Sequence, residues 1–195
     1  MKRTGILLTL LLLVVPGFAT AQKPVTAPRP DDAVVYALAI KHLFPKGGMV
    51  VFTDLPQLTP AFPARLTGSL AGVAIDSSAL RDFTRQNSAS VSLRGILDSI
   101  AAHLDRPVTF IDADSLRRIR AGGSPNHFWN RFYAAFPGAM GRFSVSPIGY
   151  SADGNMAVLN VDHGCGGLCG TGHIVVLKRV NGMWTVLGDM MTWIS

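Results

Sequence analysis

Glutamate is missing altogether from the 195 residues: all 12 acidic residues are Asp. That absence excludes the H-E-x-x-H metalloprotease helix and the EF-hand loop, each of which needs a Glu at a fixed position. Cysteine occurs only twice, too few for a disulfide-stapled mini-domain or a four-Cys zinc ribbon. Charged residues are scarce, at 15% against 48% hydrophobic, the composition of a chain that buries a core. No P-loop occurs, and no G-x-G-x-x-G stands between a strand and a helix. Gly149-Tyr150-Ser151-Ala152-Asp153 begins like a nucleophile elbow but lacks its second Gly. Asp112 and Asp114 begin like a calcium loop, yet Arg117 stands where that loop requires Gly.

What is present starts with an export signal. Lys2 and Arg3 precede an apolar run from Ile6 to Val15, Pro16-Gly17 breaks it, and Ala19-Thr20-Ala21 forms an A-x-A cleavage site. Residues 1–21 are therefore expected to be a signal peptide. The run is shorter than the roughly 20 residues of a membrane span, so no transmembrane span is expected after cleavage. Loss of Lys2 and Arg3 lowers the net charge from +6 to about +4. The expected location is periplasmic or secreted, where nucleic acid is not an expected partner. Residues 22–31 are Pro-rich and read as a flexible leader.

Residues 32–195 read as a single α+β domain. Asp31 and Asp32 precede a helix that Pro45 and Gly47-Gly48 stop. Met49 to Thr53 and Pro107 to Asp112 read as strands, and Ser69 to Ile75 as a third. Helices are expected from Ser77 or Ser78, from Ser90 to Ser92 onward, and from Asp114. Ser124-Pro125 starts another, with Phe128, Trp129, Phe132, Tyr133 and Phe136 along a face that packs on a sheet. Then come four strand-like stretches, Arg142–Tyr150, Asn155–His163, His173–Val180 and Met183–Leu187. Asp153-Gly154 marks one turn. Asn181-Gly182 is the preferred pair for a two-residue hairpin and places Leu177 opposite Val186 and Arg179 opposite Trp184. The fold class is thus helices and short strands followed by a C-terminal antiparallel meander of about four strands, with the last helix and meander spanning 124–195.

One stretch holds a constellation with chemistry in it. His163, Cys165, Cys169 and His173 form H-x-C-x3-C-x3-H between two of these strands, among Gly164, Gly166, Gly167, Gly170 and Gly172. The glycines are read as letting the backbone turn back tightly. A disulfide Cys165–Cys169 suits an oxidising compartment and would contribute about 2 kcal/mol by chain entropy. Two thiolates and two imidazoles would alternatively suit zinc or copper, although the spacing is not that of a zinc finger. A redox pair would normally be C-x-x-C at a helix N-terminus. Free, inert thiols complete the alternatives. Without the metal reading, each histidine is a hydrogen-bonded structural residue.

Arg117, Arg118 and Arg120 form a small basic cluster that could touch anionic envelope polymers or lipid head groups; otherwise it is a solvated helix face. From about His127 onward, FWNRFY, Gly141 with FSVSPIGYS, the CGGLCG turn at 165–170, Gly182-Met183-Trp184 and Thr192-Trp193-Ile194 resemble a type of exported bacterial protein with no assigned activity. The resemblance implies a closing β-meander and supplies no catalytic residue. The expected function is non-enzymatic binding or a structural role in the envelope or outside the cell. The alternatives are a metal or redox protein built on the turn, and a hydrolase with His163 as general base near Asp162 or Ser151.

Overall fold

The structure, a computed structural model, describes residues 25–53, 69–70, 73–86, 90–91, 93–121 and 124–195. The expected signal peptide lies outside the described residues. The leader is tied down where it is described: β1 (Val25–Thr26) pairs parallel with β5 (Ser90–Val91), and the Arg29 guanidinium lies 3.3 Å from Asp82.

Helix α1 (Asp32–Leu43) begins at the Asp pair, but neither carboxylate caps it in the expected way. Asp31 takes Arg179 as an ion-pair partner, and the buried Asp32 accepts from the Arg29 N–H at 2.9 Å and the Tyr150 hydroxyl at 2.7 Å. Strand β2 (Met49–Thr53) follows. A hairpin, β3 (Ser69–Leu70) with β4 (Val73–Ala74), stands where one strand was expected. Helix α2 (Ser77–Gln86) is capped by Asp76 rather than by a serine, because one carboxylate oxygen takes both the Ser78 N–H and its hydroxyl. A 3₁₀ turn (Arg94–Ile96) leads into α3 (Leu97–Leu104), then β6 (Val108–Ile111). Helix α4 (Ala113–Arg120) is capped by Asp112, not Asp114: the Ser115 N–H donates to Asp112 at 2.7 Å. Helix α5 (Pro125–Ala135) starts at Ser124-Pro125 as expected.

The rest is sheet: β7 (Ala139–Val145), β8 (Gly149–Tyr150), β9 (Met156–Gly166), β10 (Cys169–Val180) and β11 (Met183–Ile194). The order β11-β10-β9-β7-β2-β6 makes the C-terminal part an antiparallel meander, with β8 continuing β7 alongside β9. Parallel β2 is inserted between β7 and β6. The Asn181-Gly182 turn has both residues at positive φ, as a type I′ turn requires. It sets the register read from the sequence, Leu177 opposite Val186 and Arg179 opposite Trp184. The Arg179 guanidinium lies 4.8 Å from the Trp184 ring centre.

Alternation along the strands sends side chains to two packed faces. One face buries Phe52, Phe143, Leu159, Val161, Val175 and Leu177 under α1 and α3. The other is covered in two pieces. Val158, Ile174 and Val176 pack on α2, while Val51 and Ile111 pack on Phe128 and Phe132 of α5 with Leu116 of α4. The aromatic stripe of α5 is thus mainly core. Between the two pieces the strands carry Arg142, Asn160 and Asp162, and this polar strip positions the candidate site. Among the described residues no helix is long and apolar enough to cross a membrane.

Candidate functional site

Strands β9 and β10 close at Gly167-Leu168, and the sulfurs of Cys165 and Cys169 lie at disulfide distance with Cα atoms 5.1 Å apart. The histidines of the constellation turn elsewhere. His163 is buried between the rings of Phe44 and Phe143, with centroids 4.5 and 4.6 Å away, and its Nε2–H donates to the Met140 carbonyl at 3.0 Å. Burial pushes its pKa down, which keeps the ring neutral. His173 donates from Nδ1 to Asp189 at 2.8 Å. Among the described residues no three His, Cys, Asp or Glu side chains are grouped to hold a metal ion. The four residues expected to converge for zinc or copper are therefore not brought together. Nor is the hydrolase arrangement: Asp162 is adjacent to His163 on a strand and faces the opposite side, while Ser151 bonds Asp153 and the Met156 backbone in the β8–β9 turn.

The glycines of this stretch serve a purpose other than the one read from the sequence. None of Gly164, Gly166, Gly167, Gly170 and Gly172 has a positive φ. Three of them lie under large side chains. An ideal Cβ on Gly172 would overlap the Trp193 indole, one on Gly170 would meet the Trp193 ring, and one on Gly164 would touch Trp129 at 3.5 Å and Arg142 at 3.7 Å. Trp193 crosses this bare backbone to donate from Nε1 to Asp162 at 2.9 Å, and Asn160 donates to the same oxygen at 3.0 Å. Burial pushes the Asp162 pKa up, against those two hydrogen bonds and the field of Arg142.

On the other face, Asp189 of β11 joins two histidines. It accepts from His42 of α1 at 2.9 Å on one oxygen and from His173 of β10 on the other. Partial burial raises the Asp189 pKa, but the two hydrogen bonds outweigh it and hold the carboxyl below its ordinary value. A depressed carboxylate adds stability that is complete above its unfolded pKa, about 4, and is lost as the pH falls through the folded value. Asp32 and Asp162 are shifted upward and act in the opposite sense, so the total slope mixes both. The difference between wild type and Asp189→Asn isolates one carboxylate. Urea denaturation from pH 6 to pH 2.5 is expected to show the variant less stable at pH 6 and the two curves converging below pH 4. Parallel curves would show that Asp189 is not held by its two histidines.

Two surface cavities of about 390 Å³ stand out, one beside α2 and β8 and one reaching Arg142 of the polar strip. One holds Arg29, Arg81 and Arg85 beside Tyr150, but Arg29 and Arg85 are already paired with Asp82. The other is walled by Arg120 at the end of α4, Ser124 and the rings of Phe128 and Trp129 in α5, Arg142 of β7, and the backbone at Gly166-Gly167. Here neither guanidinium has an ion-pair or hydrogen-bond partner among the described residues. Burial, and then the nearby charge of Arg120, lowers the Arg142 pKa, and the field of Asp162 works against this. The Ser124 side chain makes no capping bond, although it stands at the N-cap of α5.

The basic cluster read from the sequence is thereby divided. Arg117 pairs with Asp114 and Arg118 bonds the Ser115 hydroxyl, both on the exposed side of α4, and only Arg120 reaches the cavity. Its partner Arg142 was not singled out from the sequence. The available signal was a strand, Ala139–Val145, that carries a single cation among residues otherwise uncharged, with Gly141 and Phe143 buried on either side of it. Comparison with family models, with curated proteins and with solved structures finds no match for this chain.

Proposed function

We propose that this is an exported, non-enzymatic binding protein whose ligand is a small anion held between α4, α5 and the β9–β10 turn. The observation that carries the reading is the pair of guanidiniums, Arg120 and Arg142, brought to one cavity with no ion-paired acid among the described residues. Two neighbouring cations repel, and half-burying one of them without a partner costs free energy that a bound anion returns. The volume falls within the range of about 300–1,000 Å³ typical of small-molecule sites. Export is supported by the N-terminal signal features and by a cysteine pair that suits an oxidising compartment.

The test begins with intact mass on protein recovered from the exported fraction. A chain starting at Gln22, two hydrogens lighter than the reduced form, is expected. Thermal unfolding is then followed at constant ionic strength while phosphate, sulfate or acetate replaces chloride. A ligand at 100 times its Kd stabilises the folded state by about 2.7 kcal/mol, so the midpoint should rise by several degrees. The rise should vanish in Arg120→Ala, whose side chain is exposed and whose fold is expected to be intact. No anion-specific rise, or one unchanged in Arg120→Ala, would sink the reading.

A further inference from the structure

The cavity contains more than two charges. Trp129 stands over Gly164 of β9, its ring 3.5 Å from where a Cβ would sit. Phe128 meets it in a T-shaped contact with ring centres 5.0 Å apart, and Tyr133 stacks on it at 5.8 Å. Tyr133 is itself anchored, donating to the Cys165 carbonyl at 2.9 Å. The indole is therefore fixed by neighbours before any ligand arrives, while part of it still lines the open cavity. A pre-positioned aromatic surface binds a flat ring at little ordering cost. An inorganic oxyanion alone would engage the arginines and leave this wall bare.

The charges set the head group. Arg120 and Arg142 enter from different elements, one from the last turn of α4 and one from β7, so they approach an oxyanion from two directions. A phosphate monoester carries between one and a half and two negative charges near neutral pH and offers three acceptor oxygens. That matches two guanidinium forks together with the Ser124 hydroxyl, which makes no capping bond. A carboxylate or sulfonate supplies one charge and would leave the second arginine uncompensated.

Resting on the anion-binding reading above, we infer that the ligand is a phosphate monoester bearing a flat ring, its phosphate between Arg120 and Arg142 and its ring against Trp129. The oxidised Cys165–Cys169 turn is the rim of this site, since Gly166 and Gly167 form its outer wall.

Isothermal calorimetry on the full exported chain with phenyl phosphate, inorganic phosphate, benzenesulfonate and phenol separates the contributions. Phenyl phosphate is expected to bind at least tenfold more tightly than inorganic phosphate and at least tenfold more tightly than benzenesulfonate, with phenol undetected. Arg142→Gln should weaken phenyl phosphate tenfold or more. Trp129→Ala should remove the advantage of phenyl phosphate over inorganic phosphate and leave the latter unchanged. Because Trp129 packs against Phe128, Phe132 and Tyr133 within α5, its variant is first checked for a wild-type unfolding midpoint, with Trp129→Leu as the substitute if that midpoint falls. Equal affinity for phenyl phosphate and inorganic phosphate would overturn the ring assignment. Equal affinity for phenyl phosphate and benzenesulfonate would overturn the phosphate assignment. In either case anion binding would stand. Binding of none of the anions would overturn the assignment and the anion-binding reading together.

Discussion

Gly141→Ala is expected to lower the stability by about 3–4 kcal/mol, a large share of the 5–15 kcal/mol that a domain of this size has. Two causes add. Gly141 has φ +133°, a region closed to residues with a Cβ, and forcing one there costs about 1–3 kcal/mol. An ideal Cβ would also overlap the Gly164 carbonyl and lie 2.7 Å from His163 Nε2 and 3.2 Å from the Cys165 Cα. Two of these obstacles are backbone atoms of the partner strand, which cannot rotate away, and overpacking costs about 1–3 kcal/mol. The displaced backbone would also carry off the Met140 carbonyl that satisfies the buried His163. Gly138→Ala is the control. It too has positive φ, at +77°, but nothing lies within 4 Å of its would-be Cβ, so about 1 kcal/mol is expected. Urea denaturation of the two variants decides the matter, and equal losses would show that the contact with β9 contributes nothing.

Gly172→Ala should cost about 2–3 kcal/mol by a different route. Its φ is unremarkable, and the obstacles are the Trp193 indole lying on the strand and an Asp162 carboxylate oxygen 2.6 Å from the would-be Cβ. To admit a methyl group the indole must lift, and its hydrogen bond to Asp162 is then lost. A hydrogen bond to a charged group contributes about 1.5–3 kcal/mol, and here the acceptor is buried. A double-mutant cycle with Trp193→Ala isolates the cause. In that background Gly172→Ala should cost clearly less than in the wild type, because only the Asp162 carboxylate oxygen, 2.6 Å from the would-be Cβ, then remains in the way. Strictly additive losses would mean that the glycine is required for another reason.

These two glycines also mark where the sequence was readable and where it was not. The hairpin at Asn181-Gly182 was legible to the residue pair, because a two-residue type I′ turn fixes the register of everything that follows. Two helix starts were found within a residue or two, but Asp76 took the cap expected of Ser77 or Ser78, and Asp112 the one expected of Asp114, since a carboxylate accepts a hydroxyl and an N–H together. Ser90 and Val91 form a strand, and the helix expected from there starts at Leu97. The glycines of the CGGLCG stretch were read as turn formers by their density. Space beside the backbone depends on which side chain comes to cover it, and Trp193 arrives from a strand whose expected end was Leu187. The candidate cavity was half visible. Arg120 belongs to a conspicuous run, whereas Arg142 joins it only because β7 lies beside β2, over which α5 packs. No local pattern encodes the order of parallel strands.

That insertion of β2 has a consequence for how the chain reaches its folded state. The meander closes through short connections between successive strands, so its contacts form at small entropic cost. Strand β2 must instead pair Val50 with Val108 and Met49 with Ala139, and neither partner is near it in the chain. Contacts of such separation are slow to form. A polypeptide delivered with its N-terminus first therefore carries α1 and β2 for most of its emergence with their apolar faces, Tyr36, Ile40 and Phe52 among them, open to water. The last residues to appear build the surface on which the first ones dock.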